Sequence, residues 1–318
     1  MEKLLVTSSP HIRDVDTTRG IMLDVIIALM PSAIASCFFF GWRALLIIAV
    51  CVATCVLAEF VTRKILKRDN TIGDLSAVVT GMLLAFNLPV GINPLFAVIG
   101  SVVAIVVAKQ LFGGLGQNFV NPALTARIVL MVSFPKAMTE FVEPFWYKTA
   151  DKYADAVSSA TPLTVLSSGG DVSSIPSYID LLVGNRGGCL GETCALAIIF
   201  GGLYLILRRV ISPIIPVVFV GTVALGSFIL GNDVLVQILS GGLLLGAVFM
   251  ATDYATSPIT FKGKIIFAFG CGVVTLVIRE FASLAEGVSY SILLMNILVP
   301  HIENLTKPRP FGEERAAK

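Results

Sequence analysis

The run Asp155-Ala156-Val157-Ser158-Ser159-Ala160-Thr161, followed by Pro162-Leu163, has an acid at its head and a hydroxyl at its end. Its small residues fill no core and cross no membrane. They suit a backbone that lets another molecule come close to the Thr161 oxygen. Two further stretches carry chemistry. Gly113-Gly114-Leu115-Gly116-Gln117-Asn118-Phe119-Val120-Asn121-Pro122 combines turn-forming glycines with two amides, Asn118 and Asn121, that can donate and accept hydrogen bonds. Its plain alternative is a tight inter-helix turn with Asn as a cap. It follows no strand pattern, so the dinucleotide fingerprint does not apply. Ala251-Thr252-Asp253-Tyr254-Ala255-Thr256-Ser257-Pro258 sets the carboxylate of Asp253 among the hydroxyls of Thr252, Thr256 and Ser257. Such an oxygen set suits a hard cation such as Na⁺, or a proton relay. Here too the plain alternative is a helix cap.

The elements that hold these stretches are set by an apolar composition. Of 318 residues, 56% are hydrophobic and only 14% charged, with a mean hydropathy of +0.88. Soluble domains run nearer a quarter charged, so the chain reads as an all-α polytopic membrane protein. A net charge of +2 and no basic patch with interleaved aromatics exclude nucleic acid as a partner. Cys37, Cys51, Cys55, Cys189, Cys194 and Cys271 form no CxxC pair and read mostly as small hydrophobes, with Cys189–Cys194 the one pairing to consider. With only His11 and His301, neither a zinc site nor a histidine-based triad is expected.

A crossing helix needs about 20 mostly apolar residues. Candidate spans fall at 21–40, 44–62, 75–88, 94–112, 122–134, 191–207, 212–231, 234–252, 265–278 and 290–302, of which 75–88, 122–134 and 265–278 are short. The polar stretch from Met1 to Arg19 lacks the form of a cleaved signal peptide. Positive charge orients the chain. With the N-terminus in the cytoplasm, Lys3, Arg13, Arg19, Arg63, Lys64, Lys67, Arg68, Arg208, Arg209, Lys262, Lys264, Lys307, Arg309, Arg315 and Lys318 all fall inside. Both termini are then cytoplasmic, and the loop carrying Thr161 is extracytoplasmic.

Gly81 through Pro94, with Lys109-Gln110-Leu111-Phe112, resembles Gly242 through Pro258 with Arg279-Glu280-Phe281, at an offset of roughly 165 residues. Five spans per repeat is odd, so the second copy is inverted, and inverted repeats place their sites where the copies meet. The expected plan is a cytoplasmic segment 1–20, a five-helix repeat 21–134, an outer loop 135–190, a second repeat 191–302 and a cytoplasmic tail 303–318. Ionisable residues within the spans need partners or water, and two of them, Asp24 and Arg127, call for comment. Asp24 is expected in the first turn of span one, favoured by the helix dipole. Arg127 either snorkels to headgroups or pairs with an anionic cofactor or an acidic side chain.

Several of these residues together resemble one family. Ser9-Pro10-His11 with Thr18, Ile21-Met22 and Ala28-Leu29-Met30-Pro31, the Gly116–Leu124 stretch, Met250-Ala251-Thr252-Asp253 and Ser159-Ala160-Thr161-Pro162-Leu163 look like the D subunit of the Rnf complex. That complex is a ferredoxin:NAD⁺ oxidoreductase, and its D subunit is similar to the B subunit of the Na⁺-translocating NADH:quinone reductase. The likeness runs in order through essentially the whole chain, and the compact N-terminus favours the Rnf member of the pair. It implies an FMN joined through its phosphate to Thr161 by a flavin transferase, with Asp155 as the leading acid and Ser158, Ser159 and Ala160 between them. Ser159 stands where the pattern usually has glycine, a departure that matters if that position needs φ > 0. The likeness also implies a non-covalent riboflavin, for which Asn118 and Asn121 are the candidate contacts, and an ion path through Asp253 and Thr252.

The implied protein is a non-autonomous subunit in the plasma membrane of a prokaryote. Its partners would be the B, C, G, A and E subunits of the complex, and it would carry electrons between ferredoxin and NAD coupled to Na⁺ or H⁺ movement. A different class fits the same helix plan. Ten helices in two inverted repeats also describe secondary transporters and channels without a flavin. There the outer loop is a lid, Asp253 a substrate or proton site, and Ser158–Thr161 a flexible turn.

Overall fold

The computed structural model describes residues 17–148, 161–167, 176–282 and 287–307. The segment before residue 17, which holds Ser9-Pro10-His11, lies outside them, as do Asp155, Ser158, Ser159 and Ala160. Helices make up the fold, and no strand occurs among the described residues. The first half holds α1 (Thr18–Phe40), α2 (Trp42–Ile65), α3 (Ser76–Phe86), α4 (Pro94–Val102), α5 (Pro122–Ser133) and the short α6 (Pro135–Thr139). The wider coil of a π-helix continues α4 over Val103–Gln110. After α7 (Pro162–Ser167) and α8 (Tyr178–Val183) come α9 (Ala195–Leu207), α10 (Ile214–Ile229), α11 (Val234–Leu239) and α12 (Leu243–Leu245), then α13 (Phe261–Phe281) and α14 (Val288–Thr306). A second π segment, Gly246–Met250, follows α12.

Local chemistry sets many of these boundaries. Thr17, Asn93, Asn121, Asp233 and Thr260 each cap the helix that follows with a side-chain oxygen on a backbone N–H. Pro94 and Pro122 open their helices where no N–H is needed. The short helices at 76–86 and 122–133 match the expected short segments. The expected short segment 265–278 does not: α13 runs for 21 residues. Lys264 and Arg279 mark its limits as charges, but the helix continues through both. Lys262 and Lys264 sit in its first turns, and Arg279 donates to the Gln237 carbonyl at 2.7 Å and its side-chain oxygen at 2.8 Å. The span expected at 234–252 is broken between α11 and α12 at Ser240-Gly241-Gly242.

Three helices, Thr18–Phe40, Trp42–Ile65 and Phe261–Phe281, are long and apolar enough to cross a membrane among the described residues, and several shorter apolar helices pack beside them. With the composition, they make this a membrane protein. Glycine lets helices approach where lipid gives no hydrophobic drive to associate. A Cβ on Gly201 of α9 would collide with the Ala28 carbonyl of α1, and one on Gly81 would lie 2.7 Å from the Val52 Cα of α2.

The two halves place similar groups at similar points. Gly100 of α4 abuts Leu130 of α5, and Gly270 of α13 abuts Met295 of α14. Lys109 reaches Ser76 at the start of α3, while Arg279 reaches Ser240 at the break between α11 and α12.

The sequence predicts an outer loop up to residue 190 and a span from 191. Instead, residues 186–193 are buried and α9 begins at Ala195. Their backbone pairs with the stretch after α3: Leu190 N–H donates to the Leu88 carbonyl at 3.0 Å, and Gly191 N–H to that of Phe86 at 2.9 Å. This pairing satisfies backbone groups that a broken helix would otherwise leave bare in an apolar interior.

Candidate functional site

Thr161 stands immediately before α7 and is 8% exposed. Its Oγ1 accepts the Thr164 N–H at 3.3 Å and lies 3.1 Å from the Thr164 hydroxyl. Thr164 Oγ1 in turn donates to the Thr161 carbonyl at 2.7 Å. The Thr161 hydroxyl is therefore free to donate to Thr164 Oγ1, as in a capped helical turn. The residue is more enclosed than an acceptor loop would suggest, and its oxygen serves as a cap of the turn.

The other candidate residues converge. The Gly113–Pro122 turn closes the first half-bundle, with Gly113, Gly114 and Gly116 at φ of 128°, 111° and 82°. These angles are costly for any residue with a side chain. The Ala251–Pro258 turn follows the second π segment. Both turns line one cavity, to which Asn118, Asn121, Thr252 and Asp253 contribute together with Lys109 and Ser76. Thr161 is not among the residues that line it.

The cavity measures about 100 Å³. A water needs about 10–15 Å³ of such space, so several waters or a partly hydrated cation fit. Drug-sized ligands occupy pockets of about 300 Å³ or more, so a three-ring flavin does not fit without widening.

The amides differ in what they have left to offer. Asn121 is already engaged: its Oδ1 accepts the Ala123 and Leu124 N–H groups at 3.1 and 3.3 Å, and its Nδ2 donates to the Met250 carbonyl at 3.3 Å. Asn118 donates to the Val120 carbonyl at 3.1 Å. Of the two, Asn118 is the freer to contact a ligand, and Asn121 acts as a cap that ties the turns together. Asn296 of α14 completes the tie. With its amide turned to donate to the Ile292 and Thr256 carbonyls at 3.2 and 3.1 Å, it accepts the Asn121 N–H at 3.2 Å.

Asp253 accepts from Thr256 Oγ1 at 3.1 Å, and Thr252 spends its proton on the Val248 carbonyl at 2.5 Å. A carboxylate beside hydroxyl lone pairs forms a hard oxygen donor set, which fits a cation. The cap that opens α13 is Thr260, not Asp253.

Two buried charge groups complete the interior. Lys109 Nζ lies 2.9 Å from Glu59 Oε2 and donates to Ser76 Oγ at 2.6 Å. Arg127 does not snorkel. It is buried and donates to Asn87 Oδ1 at 2.6 Å and toward Cys189 Sγ at 3.8 Å. The buried stretch 186–193 adds Glu192, which accepts the Cys189 N–H at 2.9 Å, and Arg186, which donates to the Glu192 carbonyl at 2.7 Å. None of the six cysteines is in a disulfide, Cys189 and Cys194 included.

Asp24 lies beyond the first turn of α1, where the helix dipole would not hold it. It accepts from Tyr204 at 2.8 Å and Arg208 at 3.1 Å, pinning α1 to α9. Glu59, Lys109, Arg186 and Glu192 are not among the site residues that the sequence predicts. The signal for the first two is plain: each is an ionisable residue inside an apolar run. Glycines at 187, 188 and 191 mark the stretch holding the other two, as glycines do at 113–116.

Between the apolar segments, Tyr178 donates to Asp233 Oδ2 at 2.6 Å, joining α8 to the cap of α11. The phenol's hydrogen bond holds the Asp233 carboxyl below the usual carboxylate range.

Comparison with known proteins matches residues 5–312 to the NQR2, RnfD, RnfE family. The chain belongs to that family. It is 49% identical over 317 residues to the D subunit of the Na⁺-translocating ferredoxin:NAD⁺ oxidoreductase complex of Acetobacterium woodii, covering 99% of this chain and 97% of the relative. Against the D subunit of the proton-translocating ferredoxin:NAD⁺ oxidoreductase complex of Clostridium ljungdahlii it is 41% identical, covering 98% and 96%. The D subunit of the ion-translocating oxidoreductase complex of Stutzerimonas stutzeri is 38% identical, with 94% and 93% covered. The family match spans both turns of the cavity, the Thr161 cap and the buried Lys109–Glu59 pair.

Proposed function

We propose that this chain is the membrane-embedded D subunit of an Rnf-type complex, in which electron flow between ferredoxin and NAD drives a cation across the membrane. The observation that carries the reading is the convergence of the polar residues Asp253, Thr252, Asn118 and Asn121 on one otherwise apolar cavity within the bundle. Full-length likeness to subunits of that name supports it. Those two relatives are named for different ions, which fits a site built from carboxylate and hydroxyl oxygens, since either ion can use them.

Thr161 is the proposed attachment point of FMN, which carries electrons once it is tethered. A threonine hydroxyl is a weak nucleophile and needs a separate transferase. Thr161 is buried and its oxygen accepts the Thr164 N–H, so the transferase needs this turn to open or to form after attachment. An ester there removes the hydroxyl's donated bond and leaves Thr164 donating to the Thr161 carbonyl. For riboflavin, Asn118 offers the right chemistry and the cavity volume does not, so no step is assigned to it.

The complex lacking this chain is expected to lose ferredoxin-dependent NAD⁺ reduction, and adding the chain back should restore it. Reduction at an unchanged rate without the chain would sink the reading. The charge bias favours a Thr161 loop outside and both termini in the cytoplasm. A cysteine introduced as Asp155→Cys should react with a membrane-impermeant thiol reagent on intact cells. Labelling only after the membrane is opened would reverse the orientation.

A further inference from the structure

The cavity that holds Asp253 is faced by one member of a buried ion pair. Lys109 and Glu59 have side chains only 2% and 1% exposed. Lys109, on the π segment after α4, lines the cavity, whereas Glu59, near the end of α2, does not. The pair is neutral overall, yet its positive member lies on the side where the acid is. Among the described residues that line it, Asp253 is the only acid and Lys109 the only base.

Glu59 is held from three directions. Besides Lys109, its Oε1 accepts from Gln110 Nε2 and from Thr71 Oγ1, both at 2.9 Å. Ser76 Oγ, which accepts from Lys109, passes its own proton to Asp74 Oδ1 at 2.6 Å. The ammonium is thus fixed in place, and Glu59 keeps two donors even without it.

Charges removed from water act on one another over several ångströms with little screening. An ammonium at the cavity wall opposes any cation that binds at Asp253, and the carboxylate behind it tempers that opposition. We propose that the Lys109–Glu59 pair sets the affinity of the cavity for the cation held at Asp253, Lys109 weakening binding and Glu59 strengthening it. The pair then acts through Asp253 and need not touch the ion. This rests on the reading of Asp253 as the cation residue.

The two halves of the pair make opposite predictions, which separates the proposal from structural damage. Either single substitution breaks the same ion pair, so a purely structural role moves both variants the same way. The test uses the purified complex and sodium ion as the probe. Dicyclohexylcarbodiimide modifies buried carboxyl groups, and the extent of modification at Asp253 is read by mass spectrometry of its peptide. Sodium at Asp253 should protect it.

Lys109→Met should lower the half-protecting sodium concentration about tenfold, and Glu59→Gln should raise it about tenfold. The double variant, neutral again, should return to within about threefold of the unaltered complex. Two single variants that shift in the same direction, or that do not shift while sodium still protects, overturn the role of the pair and leave Asp253 standing. If sodium protects Asp253 in none of the proteins, the sodium-site reading of Asp253 falls, and this proposal with it.

Discussion

Thr161→Ala is expected to leave the chain in the membrane but dark under ultraviolet light on a denaturing gel. Denaturation releases any non-covalent flavin, so fluorescence that stays with the band reports a covalent bond alone. Alanine removes the only oxygen that the proposed ester uses. Thr164 has a hydroxyl 3.1 Å from Thr161 Oγ1, but its proton is committed to the Thr161 carbonyl and it lies outside the run that begins at Asp155. The loss should therefore be complete rather than graded. Thr161→Ser keeps both the hydroxyl and the cap, and should keep the band.

Removing a helix cap costs about 0.5–2 kcal/mol. Here the cost falls on α7, a helix of six residues, so the bundle should stay folded. Band intensity per chain, in cells that contain the flavin transferase, is the measurement. A Thr161→Ala band as bright as the unaltered one would remove Thr161 as the attachment point.

Much of this architecture can be read in the residues because lipid makes polar groups costly. The two turns stand out for that reason: Asn118, Asn121, Thr252 and Asp253 have no place in an apolar run unless they cap, bind or conduct. What the residues do not reveal is that both turns open on one cavity. The turns are far apart in sequence, and the contacts that join them, through Met250, Asn296 and Asn121, belong to the tertiary fold.

Charge misleads where a partner is supplied from elsewhere in the fold. Lys264 and Arg279 bound a short span on paper, yet α13 runs through both because Gln237 and Ser240 receive the guanidinium. Arg186 and the glycines beside it give residues up to 190 the look of an outer loop, yet 186–193 are buried. The hydrogen bonds of Arg186 and Glu192 to one another and to the nearby backbone let that stretch go inside. Asp24 falls in the first turn of the expected span, but α1 begins at Thr18 and the residue is a tie between α1 and α9. In each case the one-dimensional rule is sound, and the missing quantity is the partner.

Asp253→Asn carries the second large effect, and it should separate ion handling from flavin attachment. Asparagine keeps the shape of the side chain and still accepts from Thr256 Oγ1, so the turn should hold. What disappears is the only acidic group among the described residues lining the cavity. Two unit charges about 4 Å apart interact by about 4 kcal/mol at an effective dielectric of about 20. Losing that attraction lowers cation affinity by a factor on the order of a thousand, at about 1.4 kcal/mol per decade. Lys109 stays at the cavity wall, offset only by the Glu59 carboxylate behind it. Ion-coupled turnover should fall steeply, while the fluorescent band at Thr161 keeps its full intensity.

Turnover with an unchanged cation requirement would remove Asp253 from the ion path. A dim band would point instead to a chain that fails to fold or mature, because Thr161 is not among the residues that line the cavity. The two measurements on one variant thus distinguish a broken site from a broken protein. Asp253→Glu sharpens the distinction, since it keeps the charge and lengthens the arm. If charge is what the cavity needs, that variant should recover more cation affinity than asparagine does; if the reach to Thr256 matters more, it should not.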